Sequence, residues 1–175
     1  MSKSKLSTWL EYANLQMAAE AFLIDRDTGV PRFSGDALTL ALIEGNGHNT
    51  KFTSTQAAQF AAEYTVVAHQ QNTGTGFSGT LFKDTQTGEY TLSFRSTEFV
   101  DDVIADSVGT NEGISQYGWA FGQISDMETW WNSIKGEIPV GQKISVTGYS
   151  LGGHLATAFA QLQNKWGQRR FSKNF

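Results

Sequence analysis

Cysteine is absent from this chain of 175 residues, so disulfide bonds and thiolate metal sites are excluded. No apolar run is long enough to span a membrane. The N-terminus leads into an amphipathic pattern and lacks the apolar core of a signal peptide. With 39% hydrophobic and 13% aromatic residues, the chain has the composition of one globular domain with a substantial core. These features are compatible with the cytosol, or with bacterial export that does not depend on disulfides.

Acidic residues are absent after Glu137, although the chain has 17 of them. Residues 1–137 carry a net charge of −9 (8 basic, 17 acidic), and residues 138–175 carry +5 (5 basic, none acidic). A basic tail is able to bind nucleic acid or anionic lipid. Residues 164–175, however, have neither helical nor strand periodicity. We therefore predict an irregular tail that follows a truncation or a frame change, and no nucleic-acid partner.

The periodicity of the remaining chain predicts an α/β protein. Apolar residues at helical spacing predict an amphipathic helix over residues 7–24, with Thr8 and Glu11 as its capping box. Further helices are predicted over 36–44, 55–63 and 119–135. Strands are predicted over 64–69, 78–83, 89–95 and 143–148, the middle two forming a hairpin. These elements divide the chain into an N-terminal helical segment (1–63), a core (64–163) and the tail (164–175).

A Gly-X-Ser-X-Gly motif lies at residues 148–152, between the last predicted strand and a predicted helix. In a nucleophile elbow, a serine stands on a sharp strand-to-helix turn, and glycines on both sides let strand and helix approach closely. The motif therefore predicts Ser150 as a nucleophile, with Gly148 and Gly152 as the elbow glycines. The structural alternative is a glycine-rich turn with an ordinary serine, because the motif by itself is weakly specific.

A second part of an acyl-transfer site lies upstream of the elbow. Acyl transfer requires two backbone N–H groups directed at the oxyanion. One donor usually belongs to the residue after the nucleophile, here Leu151, and the other to a loop that follows an earlier strand. Residues 94–97 (FRST) end such a strand.

Four ordered motifs resemble those of class 3 lipases, which are α/β-hydrolase lipases of filamentous fungi and many bacteria. The motifs are residues 94–97 (FRST), 104–106 (IAD), 115–119 (SQYGW) and 148–153 (GYSLGG). The resemblance covers about residues 64–162 and is strongest to bacterial secreted lipases and phospholipases with downstream calcium-binding repeats. It implies an incomplete α/β-hydrolase fold with a mixed sheet, an antiparallel hairpin and the elbow.

The resemblance also implies roles for individual residues. Ser150 would be the nucleophile, Thr97 and Leu151 the oxyanion-hole donors, and Asp106 a structural residue that anchors the loop after the oxyanion strand. The implied substrate is a lipid or small ester, and the chemistry needs no cofactor and no metal. Secretion without an N-terminal signal peptide and contact with a membrane or lipid-droplet surface are implied as well.

Three positions depart from the family's motifs. Ser96 replaces a glycine beside the oxyanion residue, and Gln116 and Tyr149 each replace a histidine. None of these changes abolishes the chemistry, but they leave the substrate preference open.

The catalytic acid and base are missing from their usual place, because the family supplies both after the nucleophile. His154 is the one later histidine. It lies one turn along a helix that points away from the top of the sheet, so we predict a helix-face residue. His48 and His69 precede the nucleophile, and His69 at a strand end is a convergent candidate for the base. Three hypotheses stay open: an active serine hydrolase, an inactive fragment or interaction module, and an enzyme whose histidine another polypeptide supplies.

Two further groups of residues have structural interpretations. Asp101, Asp102 and Asp106 lack the spacing and the glycine of a calcium loop, so a solvated acidic loop is predicted. The tryptophans expected to pack in the core are Trp119, Trp130 and Trp131. Strands that follow the nucleophile helix in the family are expected to be absent, which would expose a sheet edge and favour self-association.

Overall fold

The computed structural model describes residues 4–46, 51–96, 121–165 and 171–173. The helices in these ranges are α1 (Lys5–Glu20), α2 (Gly35–Glu44), α3 (Ser54–Glu63), α4 (Phe121–Ile134) and α5 (Leu151–Lys165). The strands are β1 (Tyr64–Gln70), β2 (Gly79–Asp84), β3 (Tyr90–Phe94), β4 (Ile144–Gly148) and β5 (Phe171–Lys173). The four predicted strands are therefore present, each within two residues of its expected bounds.

The strands form one mixed sheet in the order β1-β2-β3-β4-β5. Antiparallel pairing joins β1 to β2 and β2 to β3, and parallel pairing joins β3 to β4. The predicted hairpin is confirmed: Asp84 N–H donates to the Glu89 carbonyl at 2.9 Å, and the turn passes through Gly88 at φ +73°. In the parallel pair, Phe94 lies opposite Gly148, so β3 and β4 end at the same edge of the sheet.

Helices cover both faces of the sheet, because successive strand residues point to opposite sides. Leu81 and Leu92 pack with Trp130 and Trp131 of α4 and Phe159 of α5 in one apolar cluster. A second cluster contains side chains of α1, α2, α3, β1 and β2, among them Leu15, Leu38, Phe60, Val66 and Phe82. Trp130 and Trp131 are 7% and 3% exposed, which confirms their predicted place in the core, whereas Trp119 lies outside the described residues.

The predicted capping box of α1 is wrong. Ser4 caps the helix: its Oγ accepts a hydrogen bond from Ser7 N–H at 3.1 Å. Thr8 lies inside the first turn, where its hydroxyl donates to the Ser4 carbonyl at 3.2 Å. Glu11 instead accepts a hydrogen bond from the Tyr64 hydroxyl at 2.6 Å. Sequence spacing allowed both starts, and the earlier one adds another turn to the helix.

The prediction of an irregular tail is also wrong in part. β5 pairs in parallel with β4, with Ile144 opposite Phe171 and Val146 opposite Lys173. α5 extends to Lys165, beyond the predicted end of the core. A sheet edge presents unpaired N–H and carbonyl groups that another strand can satisfy. Backbone pairing therefore forms a strand after α5 where the side-chain pattern predicts none.

Among the residues the structure describes, no helix has the length and apolar character needed to cross a membrane.

Candidate active site

The turn between β4 and α5 consists of two residues, Tyr149 and Ser150. Ser150 has a φ of +53° and is the one non-glycine residue with positive φ in the described part of the chain. Such a conformation costs an L-residue on the order of 1–3 kcal/mol, and it persists only where the surrounding structure imposes it. The strand, strained turn and helix are the elbow that the motif predicts.

Two glycines make this sharp turn possible. A Cβ atom at Gly148 would lie 2.1 Å from the carbonyl oxygen of Gly152, and a Cβ atom at Gly152 would lie 2.2 Å from the carbonyl oxygen of Phe94. Both distances are shorter than any Cβ contact in proteins, and both involve backbone that cannot swing away. The first turn of α5 therefore packs directly against the ends of β4 and β3.

The elbow presents Ser150 and Tyr149 to solvent, and Tyr149 is 71% exposed. Leu151, at 6% exposure, turns its side chain into the protein. Leu151 is the first residue of α5, so its backbone N–H has no carbonyl partner within the helix. The N-terminus of a helix also carries a partial positive charge. The backbone beside Ser150 is thus suited to stabilise a developing oxyanion.

The end of β3 lies next to the elbow. Gly152 approaches the carbonyl oxygens of Phe94 and Arg95, which places the end of β3 beside the elbow. The structure therefore brings Ser150, Leu151, Gly148 and Gly152 together with the start of the 94–97 motif. Thr97, Asp101, Asp102 and Asp106 lie outside the described residues, so their predicted roles stay predictions.

His154 lies in the first turn of α5, where its backbone N–H donates to the Ser150 carbonyl at 3.2 Å. Burial lowers the pKa of its imidazole. His154 therefore lies one helical turn beyond Ser150, in agreement with its prediction as a helix-face residue.

His69 ends up far from the elbow. It lies on β1, which is separated from β4 by β2 and β3, three strand spacings of about 4.8 Å or roughly 14 Å. Its Nδ1 lies 2.9 Å from Thr80 Oγ1. Burial, together with the nearby positive charge of Arg95, lowers the pKa of His69 to about 4. His69 is thus a neutral, internally bonded residue outside the reach of Ser150, and His48 lies outside the described residues.

Sequence reasoning missed Glu20 and Gln16. Glu20, the last residue of α1, is 9% exposed and accepts a hydrogen bond from Ser96 N–H at 3.0 Å. Gln16, one turn earlier, accepts a hydrogen bond from Ser93 Oγ at 3.2 Å. The sequence does contain a signal for them. Gln16 and Glu20 are four residues apart on a predicted helix, and each follows an apolar residue, Leu15 and Ala19 respectively.

No metal cluster accompanies these groups in the described ranges, where no three His, Asp or Glu side chains converge.

No family model matches the sequence, and no curated protein matches it at a significant level. Solved structures of similar fold include MDLA from Penicillium cyclopium in a mutant form, at 16% identity and a TM-score of 0.51. A fungal lipase (19% identity) and the Lip2 lipase of Yarrowia lipolytica (20%) have the same TM-score of 0.51. The matches cover 98%, 98% and 97% of this chain and 62%, 62% and 57% of the three structures, respectively.

The chain thus has the α/β-hydrolase fold found in lipases, and it spans about three fifths of the length of the solved structures it matches.

Proposed function

We propose that this chain is part of a serine ester hydrolase of the lipase type. The observation that carries the proposal is the strained, solvent-exposed Ser150, held at φ +53° between β4 and the first turn of α5. Ordinary glycine-rich turns place glycine or asparagine at positive φ. Here a serine has positive φ, and neither Gly148 nor Gly152 has room for a Cβ atom. This combination supports a nucleophile elbow over an incidental turn.

The proposed reaction follows from these positions. Ser150 Oγ attacks the ester carbonyl carbon, and its proton passes to a general base. The N–H groups of Leu151 and Thr97 stabilise the oxyanion. The carbon–oxygen bond to the alcohol then breaks, and the alcohol leaves with the proton from the base. Water hydrolyses the acyl-enzyme, which releases the acid and restores the serine.

In this proposal Asp106 anchors the loop after β3, and no cofactor takes part. The sequence motifs support a narrower assignment, to secreted bacterial lipases or phospholipases whose calcium-binding repeats lie downstream, acting on lipid or small esters. The exposed Tyr149 beside the nucleophile provides an apolar surface for such a substrate. Contact with a lipid surface and self-association through a sheet edge belong to the same proposal.

The general base is the open part of this mechanism. His69 lies too far across the sheet, and His154 is predicted to be a helix-face residue in the first turn of α5. The base would therefore come from residues outside the described ranges or from another polypeptide. An interaction module that keeps the elbow without catalysis is the second candidate, and the separation of His69 from Ser150 across three strands favours it.

Labelling with a fluorophosphonate, together with hydrolysis of p-nitrophenyl acetate, tests the proposal. We expect slow labelling of this chain, since general-base assistance is worth about 10²–10⁴-fold in rate. Ser150→Ala should abolish it. Ser125→Ala, which removes another exposed serine, should leave it unchanged.

If the base comes from residues beyond this chain, a longer form of the protein should label faster and depend equally on Ser150. Labelling that persists in Ser150→Ala contradicts the proposed nucleophile. Absence of labelling in both forms favours the interaction module.

A further inference from the structure

Glu20 is a buried carboxylate at an unfavourable place in its helix. It is the last residue of α1, where the partial negative charge of the helix end repels an acidic side chain. It is only 9% exposed, although a carboxylate loses hydration on burial. Packing alone does not explain an acid at this position, because an apolar residue would avoid both penalties. The groups that Glu20 binds therefore indicate its role.

One oxygen of Glu20 receives two hydrogen bonds. The backbone N–H of Ser96 donates to Oε1 at 3.0 Å, and the side-chain amide of Gln16 donates to the same atom at 2.8 Å. Hydrogen bonds to an ionised acceptor are about twice as strong as neutral ones. The carboxylate thus holds the backbone of Ser96, 76 residues away in the chain.

Gln16 adds a second connection between α1 and β3. Its Oε1 accepts a hydrogen bond from the hydroxyl of Ser93, which is fully buried. Residues four apart on a helix lie on one face, so Gln16 and Glu20 act side by side. Together they fix β3 at a point inside the strand and at a point just beyond its end.

The residues held in this way lie beside the elbow. Phe94, between Ser93 and Ser96, is opposite Gly148 in the parallel pair. The carbonyl oxygens of Phe94 and Arg95 face Gly152, two residues after Ser150. A shift of the backbone at Ser96 would therefore disturb the end of β3 where it contacts the elbow.

We propose that Glu20 is a positioning residue for the oxyanion hole. Its carboxylate fixes the peptide at Ser96, and the adjoining N–H is that of Thr97, the second oxyanion donor of the proposed function, on which this inference rests. Oxyanion donors are effective only when they are oriented before the charge develops. Glu20 would supply that orientation from α1 without touching the substrate.

Three variants test this role in the whole chain. Glu20→Ala removes the acceptor, and Glu20→Gln keeps an acceptor oxygen. Glu11→Ala is the matched control, because Glu11 lies on the same helix and also accepts one long-range hydrogen bond, from the Tyr64 hydroxyl at 2.6 Å. We expect Glu20→Ala to lower kcat for p-nitrophenyl acetate by about 10- to 100-fold with little change in KM, since oxyanion contacts act in the transition state.

Glu20→Gln should retain most of the kcat, and Glu11→Ala should match the unmodified chain. Ser150-dependent turnover that falls equally in Glu20→Ala and Glu11→Ala would overturn this inference and leave the proposed function intact. Turnover that survives Ser150→Ala would instead overturn the proposed function.

Amide hydrogen exchange supplies a readout that does not need turnover. In the ¹⁵N-labelled chain, Glu20→Ala should accelerate exchange of the Ser96 amide by at least about tenfold, the ratio expected when a hydrogen bond to a charged group is lost. Exchange of the Gln56 amide, which donates to Thr53 Oγ1 in the cap of α3, should not change. Equal Ser96 exchange in Glu20→Ala and the unmodified chain would overturn the positioning role.

Discussion

At the residue scale, the main feature is that Ser150 has a strained backbone conformation, which close packing at two glycines maintains. Ser150 adopts φ +53°, which its own side chain disfavours. The turn is nevertheless retained because Gly148 and Gly152 let α5 pack against the backbone of β4 and β3, at separations that no Cβ atom permits. The glycines therefore stabilise the conformation that exposes the serine hydroxyl.

Replacing Gly152 by alanine tests this dependence. The added Cβ would meet the Phe94 carbonyl oxygen at 2.2 Å, so either α5 or the end of β3 must move. We expect Gly152→Ala to lower the free energy of unfolding by about 2–4 kcal/mol in urea denaturation. Gly136→Ala, where a Cβ meets nothing within 4 Å, should change it by less than about 0.5 kcal/mol. Equal effects of the two variants would show that the close approach at the elbow does not matter for stability.

At the scale of elements, aromatic packing holds the helix that carries the elbow. The rings of Trp131 on α4 and Phe159 on α5 meet edge to face at a centroid distance of 5.1 Å. Phe159 also lies 5.7 Å from Phe94 at the end of β3. These contacts join α4, α5 and β3 in one apolar cluster, so the position of α5 depends on Trp131, which is not part of the elbow.

We expect Trp131→Ala to destabilise the protein by about 3–5 kcal/mol, because the lost contacts leave a cavity that the surrounding helices fill only in part. Trp9→Ala is the matched control, since Trp9 on α1 is 61% exposed. It should change the free energy of unfolding by less than about 1 kcal/mol. Thermal or denaturant unfolding measures both, and a larger loss for Trp9→Ala would contradict the packing described for α4 and α5.

At the scale of the whole molecule, polar side chains are buried inside the sheet, and one of them makes stability depend on pH. His69 has a pKa lowered to about 4 by burial and by the charge of Arg95, whereas an unfolded histidine titrates near 6.5. Between these values the unfolded chain binds a proton that the folded chain does not. The stability associated with neutral His69 is therefore present above about pH 6.5 and is lost as pH falls towards 4. Burial lowers the pKa of His154 as well, which acts in the same direction.

Urea denaturation at pH 7 and pH 4.5 measures this effect. The unmodified chain should lose stability over this interval, and His69→Gln, which has no titrating ring, should lose less. Glutamine also keeps a polar group near Thr80 Oγ1, the partner of the imidazole at 2.9 Å. Identical pH dependence in the two proteins would show that His69 does not control acid stability.

Local patterns were sufficient for most of the elements. The strand bounds, the hairpin at Gly88 and the elbow at Ser150 were predictable because alternation, turn residues and glycine spacing act between near neighbours. The start of α1 was not, since both Ser4 and Thr8 are acceptable caps and the local pattern does not rank them. The proposed roles of Thr97 and Asp106 rest on motif resemblance and stay predictions.

The sequence by itself determined the order of strands and helices and the strand–serine–helix turn, because these features depend on residues a few positions apart. Only the tertiary structure decided that Glu20 binds the Ser96 amide, that Gln16 binds Ser93, and that Phe171–Lys173 pairs with β4. Each of these contacts joins segments distant in the chain, and each satisfies a buried or edge polar group whose partner no local periodicity identifies. Folding therefore decides which polar groups bind β3 and which strand pairs with β4.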